Sequence, residues 1–548
     1  MAASRRPTVN RGRFGALVAV IAASALLFFL APPAPLRVDI PPSWQDLASR
    51  TVGGAYHVHS NRSDGHGDRA QIAAAAAKAG LTFVIVTDHG DGTRPPDPAA
   101  YINGVLLLDA VEISTDEGHV VALDMRRAPY PLGGAGDAVV DDIHRLGGLA
   151  IAAHPDSPKA ALRWSSRDAL IDGLEWINAD SEWRDESRAT LVRAGVAYFF
   201  RPAPALALVL DRPSTLDRWD AFLRQRTVLA FGASDAHGGP GSRLEDQNRT
   251  LLGTVGIPSY EASFRELSLR LQLPGALTGD AGNDARTLYD AIRRADFYTT
   301  IDALATPGLL DFHQESSGGG VVARVAGPRD AEIVLIQDQR ERARGIGEVR
   351  SAFAEAQTSC TRVEVRIGQT PGIPPVPWIV SNARCGRRSI APVAADESAP
   401  PSAAQPIPPF PWRIEKDPAS SGILRTGQYD ATLEYKLAEG EKGSQFVALA
   451  TDLQGTAFRA IDLRLASDRP SRVSVQLRDA SGRRWARSYY VDAESSQLRV
   501  PDEVLRPVGG GEGPPDAEKM TSLLLVIDLT NANPGRSGRL RVLASAFQ

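Results

Sequence analysis

Cysteine is nearly absent from this chain: Cys360 and Cys385 are the whole complement among 548 residues. That scarcity excludes thiolate metal centres and a disulfide-dense scaffold. One bridge is the most the chain can form, closing a loop of about 25 residues and adding roughly 3 kcal/mol on the chain-entropy model. A strong excess of either charge is missing too. The formal net charge of −4 gives no sequence-independent pull toward nucleic acid, and no such partner is expected. There is no G-x-S-x-G, and "GGAGDA" and "GGGEGPP" lack the flanking strand and lysine of a phosphate-cradling loop. No internal repeat is present.

The length predicts two to four domains, and 43% apolar residues suffice for buried cores. An uncharged apolar run, "GALVAVIAASALLFFLA" from Gly15 to Ala31, follows Arg5, Arg6, Arg11 and Arg13. As a helix it would be roughly 25 Å long, slightly under the hydrocarbon thickness of a bilayer. Residues 1–36 are expected to be a membrane anchor, with the basic flank in the cytoplasm and the rest extracytoplasmic. The alternative is a cleaved signal peptide and a secreted protein, although that apolar region is normally shorter and no clean A-x-A site follows. A lipoprotein is excluded because no cysteine is available there. An oxidising compartment favours a Cys360–Cys385 bridge.

Residues 37–306 read as alternating strands and helices. "DRAQIAAAAAKAG" is an alanine-rich helix ended by Gly80, and "LTFVIVTDHG", "GVLLLDAVEIS", "GHVVALDM", "GGLAIAAHP" and "RTVLAFGASDAHG" are nearly continuous apolar runs. Such strands are buried on both faces, as in a parallel sheet or barrel covered by helices. "DARTLYDAIRRADFYTT" is the last amphipathic helix before short strands such as "GGVVARVAG" and "AEIVLIQD" predict a small β domain over 307–392. Residues 393–411 are a Pro-rich linker. Residues 412–548 read as a C-terminal antiparallel β-sandwich, in which Val473, Val475 and Leu477 face one way and Arg472, Ser474 and Gln476 the other.

Histidine is scarce, with nine in the chain, yet His57, His59 and His66 crowd into "YHVHSNRSDGHGD" beside Asp64 and Asp68. On a strand, His57 and His59 project to one face. Strand after strand then ends in a potential metal ligand. His89 follows "FVIVTD", Glu112 closes "LLLDAVE", His154 follows "LAIAA", Asp235 and His237 end "VLAFGASDAH", and His119 opens "GHVVAL". Active sites of α/β sheets gather at the carboxyl ends of strands. Any single member can be a cap or a core group; the set argues for a centre of mixed imidazole and carboxylate ligands, suited to zinc, manganese or iron. Asp68 reads as a helix N-cap, His66 as a loop residue, Asp88 as a support for His89, and His144 and His313 as structural. Arg62, Lys159, Arg163 and Arg184 lie near the motif loops, either to meet an anionic substrate or simply as solvated side chains.

From Val52 to roughly Asp302 the arrangement resembles the PHP (polymerase and histidinol phosphatase) family of metal-dependent phosphoesterases. The resemblance runs through "HVHSNRSDG", "TDHG", the glutamate of "AVEIS", the histidine of "GHVVAL", "AHP" and "SDAH", in that order. "GLEWIN" and "AIRRADFYTTIDALATPG" look like its extracytoplasmic subgroup related to carbaryl hydrolase. The resemblance implies an α/β fold, a distorted (β/α)7 PHP barrel, with two or three divalent metal ions at its mouth. It implies that His57, His59, Glu112 and Asp235 hold one ion, and that Glu112 bridges to a second held by His119 and His154. His89, His237 and either Asp64 or His66 hold a third, Asp64 being preferred. The implied chemistry is hydrolysis by metal-activated water, with Asp64 and His237 as candidates for the catalytic acid. A phosphoester or other small-molecule substrate is expected; hydrolysis of a carbamate, amide or carboxylic ester by the same site is the alternative. An alternative of another class is a glycan-binding scaffold protein with a non-catalytic barrel, contacting glycan through Trp485, Tyr489 and Tyr490.

Overall fold

The computed structural model describes residue 20 and residues 32–547 apart from 167–168, 240–257, 316–318, 353–359, 369–374, 387–410, 428–429, 454–457 and 511–512. The apolar run Gly15–Ala31, save Val20, and the linker 393–411, save its last residue, lie outside the described residues. Among the described residues no helix is long and apolar enough to cross a membrane.

The site-bearing part is mixed α/β. β1 (Thr51–Val58), β2 (Phe83–Val86) and β3 (Val105–Asp109) run parallel as neighbours. After Ala110 the chain continues into β4 (Val111–Thr115), which pairs with β5 (Gly118–Leu123). β6 (Leu149–Ala152), β7 (Gly173–Asn178) and β8 (Leu229–Ala233) complete that second sheet in order. Two isolated parallel bridges, His89 with Glu112 and Val58 with Ala236, link the sheets, so the run of strands returns from β8 to β1. β5 departs from the expected parallel pattern, being antiparallel to both β4 and β6. Its link to β4 is Asp116 and Glu117 alone, and a parallel connection needs a crossover of about a dozen residues or more.

β2, β3 and β5 are buried along their whole length, as their unbroken apolar sequences require. Helix α1 (Arg69–Ala79) begins at Asp68, whose carboxylate accepts the Gln71 N–H in a capping box, and stops at Gly80 with φ 77°. The segment expected as a small β domain extends the sheet that holds β1. The strand Phe297–Thr300 pairs with Ile379–Ser381, and Cys360–Arg366, Glu332–Gln337 and Arg340–Ile346 follow outward. Ile333, Leu335, Val363 and Val365 share one core with Ile113, Trp176 and Trp219. Cys360 and Cys385 are disulfide-bonded across paired strands.

After Trp412, a six-stranded and a five-stranded antiparallel sheet share one apolar core that includes Leu433, Leu449, Leu463, Val473, Val475 and Leu477. The opposite face of the 472–476 strand is covered too. Arg472 is 4% exposed because it enters helix α2 (Gly136–Arg145) of the α/β part. Its Nε donates to Asp142 at 2.7 Å, Nη2 to Asp141 at 2.8 Å and to the Ala138 carbonyl at 2.7 Å, and Nη1 to the Ser488 carbonyl at 3.0 Å. The Arg145 guanidinium lies 4.0 Å over the Tyr490 ring, and Asn531 donates to the carbonyls of Pro131 and Gly133. Trp485 sits in the core with its Nε1 donating to Gly513, and Tyr489 packs against that core. Of the three aromatics considered for glycan stacking, Trp485 is buried, while Tyr489 and Tyr490 are half-buried.

Candidate metal centre

Three residues of the site hold backbone that side-chain-bearing residues seldom adopt: His57 with φ 61°, His154 with φ 33° and Asp235 with φ 44°. Left-handed geometry at a non-glycine residue costs about 1–3 kcal/mol and persists where the surroundings impose it. At His57 it interrupts β1, whose register with β2 shifts between Ala55 and Val58. His57 and His59 therefore meet through this kink rather than by regular strand alternation.

Their Nε2 atoms converge on the same two carboxylate oxygens. His57 Nε2 is 3.3 Å from Glu112 Oε2 and 3.4 Å from Asp235 Oδ1; His59 Nε2 is 3.3 Å and 3.2 Å from the same atoms. Charge-assisted hydrogen bonds are shorter, about 2.7–2.9 Å. An edge of about 3.3 Å is what a tetrahedron of ligands at about 2.0–2.1 Å from a central cation has. The other oxygen of Glu112, Oε1, faces His119 Nδ1 at 2.8 Å and His154 Nε2 at 2.9 Å. Asp64 Oδ2 stands 3.5 Å from His89 Nε2 and 3.4 Å from His237 Nε2, and His89 Nδ1 reaches Glu112 Oε2 at 3.3 Å. Among the described residues, five trios bring three potential ligand atoms within 4.8 Å of one another, and together they include all nine residues singled out from the sequence. The donor set, imidazole and carboxylate without thiolate, fits zinc, manganese or iron.

His66 is exposed, its Nδ1 lies 3.2 Å from the His237 carbonyl, and it joins none of those trios. Asp88 departs from its expected role beside His89. It accepts from Ser60 N at 2.7 Å, Ser60 Oγ at 2.6 Å and Ser63 Oγ at 2.8 Å, pinning the turn after His59. His144 pairs with Asp172 and His313 with Asp311, both outside the cluster. Arg62 pairs with Asp97, Arg184 pairs with Asp180 and stacks on Trp183, and Lys159 and Arg163 are exposed. A cavity of about 240 Å³ opens beside His89, with Arg62, Arg94, Arg126 and Arg127 in its wall.

Two residues of the site were missed in the sequence. Glu175, 1% exposed, places Oε1 2.6 Å from His57 Nδ1, while its Oε2 accepts from the His154 N–H and from Asn178 Nδ2, each at 2.8 Å. Asn178 Nδ2 also reaches Asp235 Oδ2 at 3.1 Å. Glu175 thereby orients His57, as outer partners of metal-binding histidines do. The available signal was a lone acid between Leu174 and Trp176 in "GLEWIN", a strand buried throughout.

The electrostatics follow from this crowding. Burial opposes protonation of His57, but Asp235, Glu175 and Glu112 outweigh it and hold the imidazole well above its ordinary value. Burial pushes the Glu112 carboxyl up, yet His57, His89, His119 and His154 bring it well below the usual range. His59 goes the other way, lowered by burial and by its neighbour His237. His237 is raised to about 9, its burial overcome by Asp64 and Asp235.

No family model matches the chain. An uncharacterized protein of Methanocaldococcus jannaschii is 34% identical over 111 residues, which are 20% of this chain and 64% of that protein. The chain thus spans less than two thirds of the length of the curated relative it matches. Among solved structures, a two-domain protein from Bacteroides vulgatus containing a predicted PHP-like metal-dependent phosphoesterase aligns at 13% identity and a TM-score of 0.30. That alignment covers 64% of this chain and 99% of the other. A family 11 carbohydrate-binding module from Clostridium thermocellum aligns over 24% of this chain and 86% of its own, at 12% identity and a TM-score of 0.20. Both scores are low.

Proposed function

We propose that this protein is a metal-dependent hydrolase of the PHP type, cleaving a phosphoester. The observation that carries this reading is that the Nε2 atoms of His57 and His59 each stand 3.2–3.4 Å from the same oxygens of Glu112 and Asp235, four separations of tetrahedral-edge length. In this reading the strands from β1 to β8 form the distorted barrel within 37–306, 307–392 continues its sheet and its core, and 412–548 is a second unit with a core of its own. His57, His59, Glu112 and Asp235 hold one ion; Glu112, His119 and His154 a second; Asp64, His89 and His237 a third. Bound there, two or three divalent ions of zinc, manganese or iron supply water of lowered pKa and charge stabilisation at the attacked centre. The chain's own contribution is orientation and proton handling. Glu175 fixes the ring of His57, and Glu112 spans two groups of imidazoles. His237, raised to about 9 beside Asp64 at 3.4 Å, is the group to give a proton to the leaving group when only the first two ions are bound. Asp64, its burial overcome by His237 and His89 and its carboxyl held well below the usual carboxylate range, is ionised and keeps that imidazole charged.

The apolar run Gly15–Ala31 anchors the protein, and everything after it is extracytoplasmic; the Cys360–Cys385 bridge accords with an oxidising compartment. The test is to purify the full chain, measure bound metal, and assay a generic phosphodiester, phosphomonoesters and carbamates before and after chelation, with manganese or zinc added back. Phosphodiester or phosphomonoester turnover that chelation abolishes and metal restores supports the reading. Turnover confined to carbamates would move it to the alternative substrate class, and a metal-free protein without turnover would end it.

A further inference from the structure

The helix α3 (Arg188–Tyr198) is apolar on two sides and covered on one. It starts at the N-cap Ser187, and its Ala197 and Tyr198 are buried. Val192, however, is 68% exposed, Val196 36%, Phe199 71% and Phe200, two residues past the helix, 40%. Positions 192, 196, 199 and 200 share one helical stripe. A helix apolar all round is normally enclosed, and contiguous exposed apolar surface marks contact with a partner or a membrane.

Two observations indicate which. From Ser187 to Leu210 the chain carries Arg188, Arg193 and Arg201 and no acidic residue. Arg201 Nη1 donates to the carbonyl of Pro32 at 2.6 Å, and Pro32 follows directly on the apolar run that ends at Ala31. The stripe therefore sits where that run meets the folded body.

We infer that the Val192–Phe199 stripe docks into the surface of the lipid bilayer, with its methyls and ring at the acyl boundary. Phenylalanine and valine on one side and arginine at the margin are the composition of a helix lying in the interface plane. The contact goes beyond the hydrolase reading and does not depend on it; it rests on the reading of Gly15–Ala31 as a membrane anchor. A single span leaves a folded body free to tumble; a second contact beside it sets one orientation.

The experiment uses the full chain in vesicles of phosphatidylcholine and phosphatidylglycerol. A nitroxide is placed at Val192→Cys or Phe199→Cys and, for comparison, at Ile423→Cys, an apolar side chain 56% exposed on the C-terminal sheets. Collision with oxygen, which concentrates in acyl chains, is compared with collision with a water-soluble nickel chelate. The expected result is an oxygen-to-nickel ratio several-fold higher at 192 and 199 than at 423. Equal ratios at all three positions would overturn the inference. So would labels at 192 and 199 shielded from both reagents, which means that protein, a second copy or another segment of this chain, covers the stripe. Failure of the chain to float with the vesicles would overturn it as well.

Discussion

Two buried ionic networks in this chain are built on opposite terms. Around Arg472 every guanidinium nitrogen has an oxygen within 2.7–3.0 Å. The Nε2 atoms of His57 and His59 instead stop 3.2–3.4 Å from Glu112 Oε2 and Asp235 Oδ1, and His57 and Asp235 hold left-handed backbone there. A network satisfied by its own hydrogen bonds is complete as protein. One whose imidazole nitrogens and carboxylate oxygens stand at tetrahedral-edge spacing has the dimensions of a cation site. The first joins two parts of the fold; the second is equipped for chemistry.

The comparison breaks most decisively at Glu112. Glu112→Gln removes the carboxylate that faces five imidazoles, and hydrolysis should fall on the order of a thousandfold or more, with bound metal reduced in parallel. Elemental analysis and turnover on one preparation check this. Arg472→Met strands Asp142 without its buried partner and should cost about 3–5 kcal/mol, read from denaturant unfolding. Metal per folded chain should stay unchanged, and a loss of metal in this variant would collapse the distinction between the networks. Glu175→Gln leaves a weaker acceptor at His57 Nδ1, and metal affinity should drop about 10–100-fold in competition with a chelator.

Glu266 belongs to neither network. Burial first, and then Glu182, raise its carboxyl to about 8 from an ordinary 4.5. The unfolded chain loses this proton first, so the contribution to stability is full below about pH 4.5, declines as pH rises and is gone above about pH 8. Glu266→Gln should therefore flatten the decline in melting temperature between about pH 6 and pH 8. The smallest effect is expected at His66→Ala, within about 0.5 kcal/mol of stability and with unchanged metal content, against clear metal loss in Asp64→Asn.

The candidate ligands were legible because each interrupts an apolar run at a strand's end: His89 after "FVIVTD", His154 after "LAIAA", Asp235 after "VLAFGAS". Glu175 was not, since it lies inside a strand, where one acid among apolar residues reads as an outward-facing side chain. Residue identity did not disclose that β7 is buried on both faces. The antiparallel β5 was within reach of a turn-length argument, because Asp116 and Glu117 are too few for a crossover. Arg472 could not be placed in advance: its partner Asp142 is 330 residues away, and period-2 alternation reports two faces without saying what covers the second. Asp88 was assigned to its sequence neighbour His89, whereas its hydrogen bonds go to Ser60 and Ser63 across the strand ends.

Anomalous diffraction from crystals grown with manganese or zinc addresses the central claim most directly. A peak bounded by His57, His59, Glu112 and Asp235, and a second beside His119 and His154, are what this account predicts. Density showing those side chains hydrogen-bonded to one another with no scatterer between them, at saturating metal, would contradict it.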